Sequence, residues 1–215
     1  GECKALAHLN MRENNIGAVG VGMLVGVLGK CTTLAHLNLG ANELGHEGVG
    51  VLAGRLGDCT ALAHLDLSCN GIGDTGTERL GGVLEECKAL AHLNLSSNRI
   101  GAAGATKLAG VLGKCTALAH LDLGANEIGP QGAGRLAAEL GANTALAHVD
   151  LSFNEIGPVS SGEPWDYFFG EPAGAELLLG ELGKCKALTH LNLNSNRIGE
   201  EGAELLAGVL GECKA

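Results

Sequence analysis

Aromatic residues are almost missing from this sequence. The 215 residues include one Trp, one Tyr and three Phe, and Leu, Ala and Gly dominate the remainder. Four of the five aromatic residues lie between Trp165 and Phe169, inside the stretch GPVSSGEPWDYFFGEP at 157–172. Three of the four prolines fall in the same stretch: Pro158, Pro164 and Pro172. This segment therefore needs an explanation of its own, separate from the rest of the chain.

Positive charge and long apolar runs are also scarce. Lys and Arg together number 14 against 24 Asp and Glu, which gives a formal charge of −10. This balance argues against a protein that binds duplex nucleic acid, because such a protein needs a basic face for the phosphates. It permits a basic protein partner. No apolar run approaches the roughly 20 residues of a membrane span, so we predict none. A chain that is 46% hydrophobic and 18% charged is neither disordered nor fibrous.

No Cys-x-x-Cys motif is present, which removes support for a zinc-ribbon or redox hypothesis. Seven of the eight cysteines recur at one repeat position, where each is expected to act as a small buried apolar residue: Cys3, Cys31, Cys59, Cys87, Cys115, Cys185 and Cys213. Cys69 stands apart and is expected to be more exposed. We infer reduced thiols and an intracellular, cytoplasmic protein. Organelle targeting stays open, because both ends of the sequence fall inside a repeat.

A 28-residue repeat accounts for nearly the whole chain. His follows Ala or Thr at seven positions, 8, 36, 64, 92, 120, 148 and 190, with five intervals of 28 residues and one of 42. The sequence therefore predicts one domain, 1–215, of seven repeats with a 14-residue insertion in the sixth. Solenoids need capping repeats with polar outer faces, and none is visible. We expect a piece of a longer array; ends covered by other protein and an engineered array are the alternatives.

Each repeat predicts a strand, a turn and a helix. The unit ALAHLDLSCNGIGDTGTERLGGVLEECK at 61–88 places alternating leucines before a pair of glycines, and leucines four apart after them. Alternation is typical of a strand, and the spacing of four is typical of one face of a helix. An Asn recurs at the end of each predicted strand, and we expect it to bond the backbone of adjacent coils. It occupies Asn14, Asn42, Asn70, Asn98, Asn126, Asn154 and Asn196.

This pattern resembles the leucine-rich repeat family, in particular its ribonuclease-inhibitor-like subfamily. The 28-residue length, the Ile-Gly-x-x-Gly turn and the Leu-x-x-x-Leu helix carry the resemblance. It implies an α/β solenoid shaped as a horseshoe, with a parallel sheet on the concave face and helices on the convex face. Ribonuclease inhibitors alternate two repeat types and carry concave aromatic residues, whereas this chain has one type and none in its predicted strands. The closer resemblance is to arrays of cytosolic innate-sensor proteins and Ran GTPase-activating proteins.

Polar side chains are predicted to line the concave face. Strand side chains alternate, so each repeat His shares a face with the residue two further on. The candidate concave residues are His64, Asp66, His92, His120, Asp122, His148 and Asp150. His and Asp can bind zinc, but a regular row singles out no convergent set of ligands, so we predict no metal and no cofactor. Stacked imidazolium groups repel, so these histidines should resist protonation together.

The aromatic insertion, 158–171, is predicted to replace the turn between strand and helix on one rim of the horseshoe. Phe153, in the same repeat, is expected to lie nearby. The rings either pack on the scaffold as a local core or form a docking surface, since aromatic residues dominate interface hot spots. For the second case the partner-binding residues are Phe153, Trp165, Asp166, Tyr167, Phe168 and Phe169.

A non-enzymatic scaffold that binds a protein partner is the function that this sequence favours. The contact surface would be the concave face and the insertion. No nucleophile with a base and an orienting group is recognisable, so we predict no enzyme. One alternative is a GTPase-activating or other regulatory accessory protein acting through rim residues such as Arg99 and Arg197. The other is a purely structural repeat module.

Overall fold

Every repeat folds as a short strand followed by a helix. The structure, a computed structural model, describes residues 5–157, 174–182 and 184–212. Within these residues the strands are β1 His8–Asn10, β2 His36–Asn38, β3 His64–Asp66, β4 His92–Asn94, β5 His120–Asp122, β6 His148–Asp150 and β7 His190–Asn192. The helices are α1 Gly17–Leu28, α2 Gly45–Leu56, α3 Gly73–Leu84, α4 Ala102–Leu112, α5 Gly129–Ala142, α6 Gly174–Leu182 and α7 Gly199–Glu212.

All the strands pair in parallel in one open sheet whose order follows the chain, from β1 to β7. The register is constant: His pairs with His, the central Leu with Leu or Val149, and the third residue with its counterpart. The central residue points inward, and Leu37, Leu65, Leu93 and Leu121 are each 2% exposed between the sheet and the helices. The predicted solenoid, with strands on the concave face and helices on the convex face, is confirmed.

The repeated Asn bonds the backbone of two neighbouring coils, as predicted. Asn98 Nδ2 donates to the carbonyl oxygens of Leu67, Leu95 and Ser96 at 2.9, 2.9 and 3.1 Å. Its Oδ1 accepts the backbone N–H groups of Asn70 and Ile72 at 2.9 and 3.4 Å. A buried amide that satisfies five backbone groups ties consecutive coils together, because the turn after each strand has no sheet partner for them.

The start of α4 departs from the repeat. In most coils the glycine that opens the helix has φ near +60°, as Gly73 does, and its N–H donates to the ladder Asn carbonyl of the next coil, here Asn98 at 2.9 Å. Gly101 instead has φ −92°, and its N–H donates to Asp74 Oδ1 at 2.8 Å. The same carboxylate oxygen accepts from Gly104 N–H at 2.8 Å. Asp74 on α3 therefore caps the N-terminus of the neighbouring helix, where a negative charge is favourable.

The described repeat cysteines lie shortly after the helices, and they are buried or partly buried. Cys31, Cys59 and Cys87 are buried, and Cys69 is exposed as expected from its separate position. Burial, with like charges nearby, raises the pKa of the Cys87 thiol to about 11. A thiol with a raised pKa is a poor nucleophile, so these residues act in packing.

Within the described residues, no helix is long and apolar enough to cross a membrane.

Candidate functional site: the concave groove

The open face of the sheet forms one groove that crosses β1 to β7 and encloses about 880 Å³. We call it the concave groove. Its lining consists of the three strand positions of each repeat and Thr189. The predicted concave residues all line it: His64, Asp66, His92, His120, Asp122, His148 and Asp150. The in-register pairing puts each residue type in a column, so the groove has a histidine column beside a column of Asn and Asp.

The seven histidines of the column form a continuous ring stack. Neighbouring ring centroids are 3.9–4.1 Å apart and the ring planes differ by 13–16°. This separation is smaller than the roughly 4.8 Å between paired strands. Side chains on the concave side of a curved sheet converge, which brings the rings closer together than their backbones. Parallel rings at this distance present their faces to each other and cover the Leu layer beneath.

The stack keeps its central imidazoles neutral. Burial and the neighbouring histidines lower the pKa of His92 from 6.5 to about 4. Burial and other histidines of the column also lower the pKa of His64 and of His120. Desolvation disfavours the charged imidazolium, and each proton that one ring binds repels the next. The expected resistance of the column to protonation agrees with these shifts.

We expect the free energy of unfolding to decrease as the pH is lowered from about 7 to about 5. The unfolded chain binds protons on His64, His92 and His120 near the ordinary pKa of 6.5, whereas in the folded chain the pKa of all three is lowered, to about 4 at His92. The stabilisation is therefore complete above the unfolded pKa and declines as the pH drops below it. The raised pKa of Asp122 acts in the opposite direction.

Urea denaturation midpoints measured across this range test the expectation. His92→Gln should flatten the pH dependence, because it removes the histidine whose pKa is lowered to about 4. His46→Gln is the matched control, since His46 lies exposed on α2, outside the column. A midpoint that does not change between pH 7 and pH 5, or an equal flattening in both variants, would contradict the explanation.

The carboxylates beside the histidines are held by the turn that follows each strand. Asp122 Oδ1 accepts Gly124 N–H at 2.9 Å. Asp150 Oδ1 accepts the N–H and the hydroxyl of Ser152 at 2.8 and 2.6 Å, and its Oδ2 accepts Asn192 Nδ2 at 2.7 Å. Burial and the charges of Asp150 and Asp66 raise the pKa of Asp122. Of the described residues, Asp66, Asp122 and Asp150 line the groove and no Lys or Arg does, so the groove is acidic.

Sequence reasoning missed Arg12, which crosses two coils beside the groove. Its Nη1 donates to Ser68 Oγ at 2.9 Å, although the two residues are 56 positions apart. Its Nε bonds Glu13 Oε1 at 3.1 Å. The signal in the sequence was the substitution itself, because the other repeats have Gly, Ser or Asn at this position: Gly40, Ser68, Ser96, Gly124, Ser152 and Asn194. An Arg reaches the third coil because the second coil has a glycine there.

Phe153 lies on the rim where the strands end, directly after Ser152. It is 55% exposed, and its backbone N–H donates to the carbonyl of Asn194 at 2.9 Å. The inserted segment begins after Gly157, and α6 begins at Gly174. The other predicted docking residues lie outside the described residues: Trp165, Asp166, Tyr167, Phe168 and Phe169.

The two arginines considered for a GTPase-activating role lie at equivalent positions of two coils. Both are exposed and have positive φ in the turn after the ladder Asn. Arg197 Nη2 lies 3.6 Å from Glu155 Oε1 of the preceding coil, in a pair that is more than 70% exposed on both sides.

Among the residues that the structure describes, no group of three or more His, Cys, Asp or Glu has a geometry suited to a metal ion.

The repeat pattern matches a known protein family. A family model described as "Leucine Rich repeat" matches residues 2–25, 30–53, 58–81, 86–109, 114–137, 142–160 and 184–207. The matches follow the 28-residue spacing and cover most of the chain. The chain belongs to the leucine-rich-repeat family. Repeat proteins of this kind use their curvature to present an extended concave binding surface. No curated protein matches the chain.

Solved structures share the fold at low sequence identity. The C-terminal domain of tropomodulin from Caenorhabditis elegans aligns with a TM-score of 0.55 at 12% identity, over 76% of this chain and 92% of that one. The structure of leiomodin-1 actin-binding site 2 aligns with a TM-score of 0.50 at 10% identity, over 87% of this chain and 86% of that one. At these identities the likeness concerns the fold alone.

Proposed function

We propose that this leucine-rich-repeat chain is a non-enzymatic scaffold that binds a basic protein partner in its concave groove. The observation that carries the proposal is the acidic groove itself. It crosses every strand of the described sheet, and its described lining includes Asp66, Asp122 and Asp150 but neither Lys nor Arg. A surface of one sign attracts and orients a partner of the opposite sign. The lowered pKa of His64, His92 and His120 keeps these rings neutral at pH 7, so they add flat polar contact area without opposing that charge.

The aromatic insertion, 158–171, is proposed as the second part of the contact surface. Phe153 supports this proposal, because a large apolar ring that is 55% exposed is unusual in a chain with so few aromatic residues. The insertion contributes Trp165, Asp166, Tyr167, Phe168 and Phe169, which are residue types found in interface hot spots or at their acidic rims. Aromatic anchors at the rim and carboxylates in the groove would together bind a partner that carries an apolar pocket and basic side chains.

We also propose a place in the ribonuclease-inhibitor-like subfamily and an intracellular location. The 28-residue repeat with a full helix in each coil supports the first. The buried repeat cysteines, which are compatible with reduced thiols, support the second. One of the structures with a similar fold is an actin-binding site of leiomodin-1, so purified actin is a reasonable first partner to test.

The proposal predicts that neutralising the groove abolishes partner capture. The combined variant Asp66→Asn, Asp122→Asn and Asp150→Asn removes three negative charges with little change in shape, since Asn occupies the same position in other repeats. The amount of basic partner captured from lysate should fall at least about tenfold relative to the unchanged chain, and purified actin tests the likeness to leiomodin-1 separately. A chain lacking 158–171 should lose the same partner if the insertion contributes, and circular dichroism should show that each variant is folded.

The matched control places the same charge change on the helices. Glu47, Glu200 and Glu204 are exposed on α2 and α7, and their combined replacement by Gln should leave capture unchanged. Equal capture by the groove variant and the helix variant would exclude the groove as the contact surface. Unchanged capture by the deletion would assign the insertion to local packing. If no partner depends on either region, the chain is a structural repeat module.

A further inference from the structure

Three oxygen atoms converge on the space beside Gly124, just after β5. A Cβ atom at Gly124 would lie 3.0 Å from Ser152 Oγ, 3.1 Å from Asp150 Oδ1 and 3.2 Å from Asp122 Oδ1. We call this place the Gly124 notch, formed by Gly124, Asp122, Asp150 and Ser152. Its two carboxylates also line the concave groove, so the notch opens from the groove toward the rim. Phe153, exposed on that rim, follows Ser152 directly.

The same molecule shows what fits such a place. The equivalent glycine of the second coil is Gly40, whose surroundings include Ser68 Oγ and Asn38 Oδ1. There the guanidinium of Arg12 fills the space: its Nη1 lies 2.5 Å from where a Cβ of Gly40 would be. It donates to Ser68 Oγ at 2.9 Å. A guanidinium group therefore binds in a site made of three parts. These are the glycine, the serine hydroxyl of the next coil and a side-chain oxygen two residues before the glycine.

The Gly124 notch has a stronger acceptor than the Gly40 site, and the described residues of the neighbouring coils supply no cation to it. The carboxylate of Asp122 stands where the Gly40 site has the amide oxygen of Asn38, and a carboxylate is a stronger acceptor for a guanidinium than a neutral amide. The residue that corresponds to Arg12 is Ser96, which is too short and uncharged. The inserted segment, 158–171, contains no Lys or Arg, so it cannot supply the charge. From the described residues, Asp122 Oδ2 accepts no hydrogen bond.

We propose that the Gly124 notch binds an arginine side chain of the protein partner. This inference rests on the proposed function and specifies the chemistry of the partner at one point. The guanidinium enters beside Gly124 as Arg12 does beside Gly40, and it donates to Asp122, Asp150 and the Ser152 hydroxyl. Phe153 follows Ser152 in the chain and is exposed, so its ring is the candidate for an additional apolar or cation–π contact with the bound arginine.

Amide chemical shifts report on the notch directly. Gly124 N–H donates to Asp122 Oδ1 and Gly40 N–H donates to Asn38 Oδ1, both at 2.9 Å, so two equivalent amides report on an open and an occupied notch. We expect N-acetyl-arginine amide to shift the Gly124 resonance saturably and to leave Gly40 unchanged. The matched citrulline compound has the same shape without the charge, and it should leave both resonances unchanged.

Substitutions that the repeat already contains keep the fold while changing the notch. Asp122→Asn copies Asn94, and Gly124→Ser copies Ser96, so both residues are compatible with their positions. Each should weaken binding of the arginine compound at least about tenfold, because a hydrogen bond to a charged group or the space for it is lost. Glu47→Gln removes one negative charge from an exposed position on α2, outside the groove, and should leave the affinity unchanged.

The opposing results are equally specific. An absent or unsaturable Gly124 shift, an equal response to citrulline, or a response to Ca²⁺ in place of arginine would overturn the arginine assignment. These outcomes differ from failure of the proposed function. Loss of partner capture by the three-carboxylate variant together with no arginine response would leave the groove as the contact surface and remove only the notch. An arginine response together with partner capture that does not depend on the groove would keep the arginine site and remove the groove as the contact surface.

Discussion

Replacing Asn98 with Ala should lower the free energy of unfolding by about 2–5 kcal/mol, although the side chain is small and uncharged. Asn98 is fully buried. The five backbone groups that Asn98 bonds are affected unequally by the loss of its side chain. The carbonyl of Leu67 also accepts from Asn70 Nδ2 at 3.0 Å, and that of Leu95 from Asn126 Nδ2 at 3.1 Å. The backbone N–H groups of Asn70 and Ile72 lose their acceptor, and a buried amide without a partner costs about 1–3 kcal/mol.

Urea denaturation followed by circular dichroism measures this effect. Asn14→Ala is the matched control, since Asn14 makes the same local bonds to Met11 and Arg12 in the first coil but lies exposed. Water can replace those bonds, so the control should lose well under half as much stability as the central variant. Asn98→Asp keeps the acceptor but not the donors, and should also be destabilised. Equal losses at positions 14 and 98 would contradict the role assigned to burial.

Leu93→Ala should also cost about 2–5 kcal/mol, by a different mechanism. Leu93 is the central residue of β4, it is 2% exposed, and it pairs in register with Leu65 and Leu121. Removing its outer carbons leaves a cavity between the sheet and the helices that neighbouring side chains cannot close, because each is fixed by its own coil. The transfer free energy of the lost methyl groups adds to the cost of that cavity.

Leu9→Ala provides the comparison at the same repeat position. Leu9 is the central residue of β1, it is partly buried, and it has one paired neighbour, Leu37. Its truncation should cost about 1 kcal/mol, because part of the side chain is already in water. In a solenoid each coil contacts only its neighbours, so the central variant should also unfold in two separated steps more readily than the terminal one. Equal losses of stability at the two positions would argue against this nearest-neighbour description.

The two variants test complementary halves of one arrangement. Leu93 belongs to the apolar column under the sheet, and Asn98 to the polar column that satisfies the turns. The first excludes water, and the second supplies the hydrogen bonds that the backbone loses when water is excluded. Because both columns repeat with the coils, substitutions in the middle of the array affect two interfaces and substitutions at its end affect one.

Much of this protein is determined by the repeat in its sequence. A 28-residue period with alternating leucines, an Asn and a helical segment leads to the parallel sheet, its register and the buried Asn residues, because identical coils stack only with equivalent residues in contact. The composition of the groove follows from the same argument. The alternation of strand side chains predicts that His64, Asp66, Asp122 and Asp150 share the concave face.

Only the tertiary structure decided how the columns are filled. The period indicates that Arg12, Gly40 and Ser68 are neighbours, but not that the guanidinium of the first passes over the second to bond the third. The same holds for the Gly124 notch, for the lowered pKa of His92 and for Asp74 at the start of α4. These features depend on side-chain reach and on burial between coils. A sequence pattern specifies which residues are adjacent, whereas the space between them depends on the distance and curvature of the stacked coils.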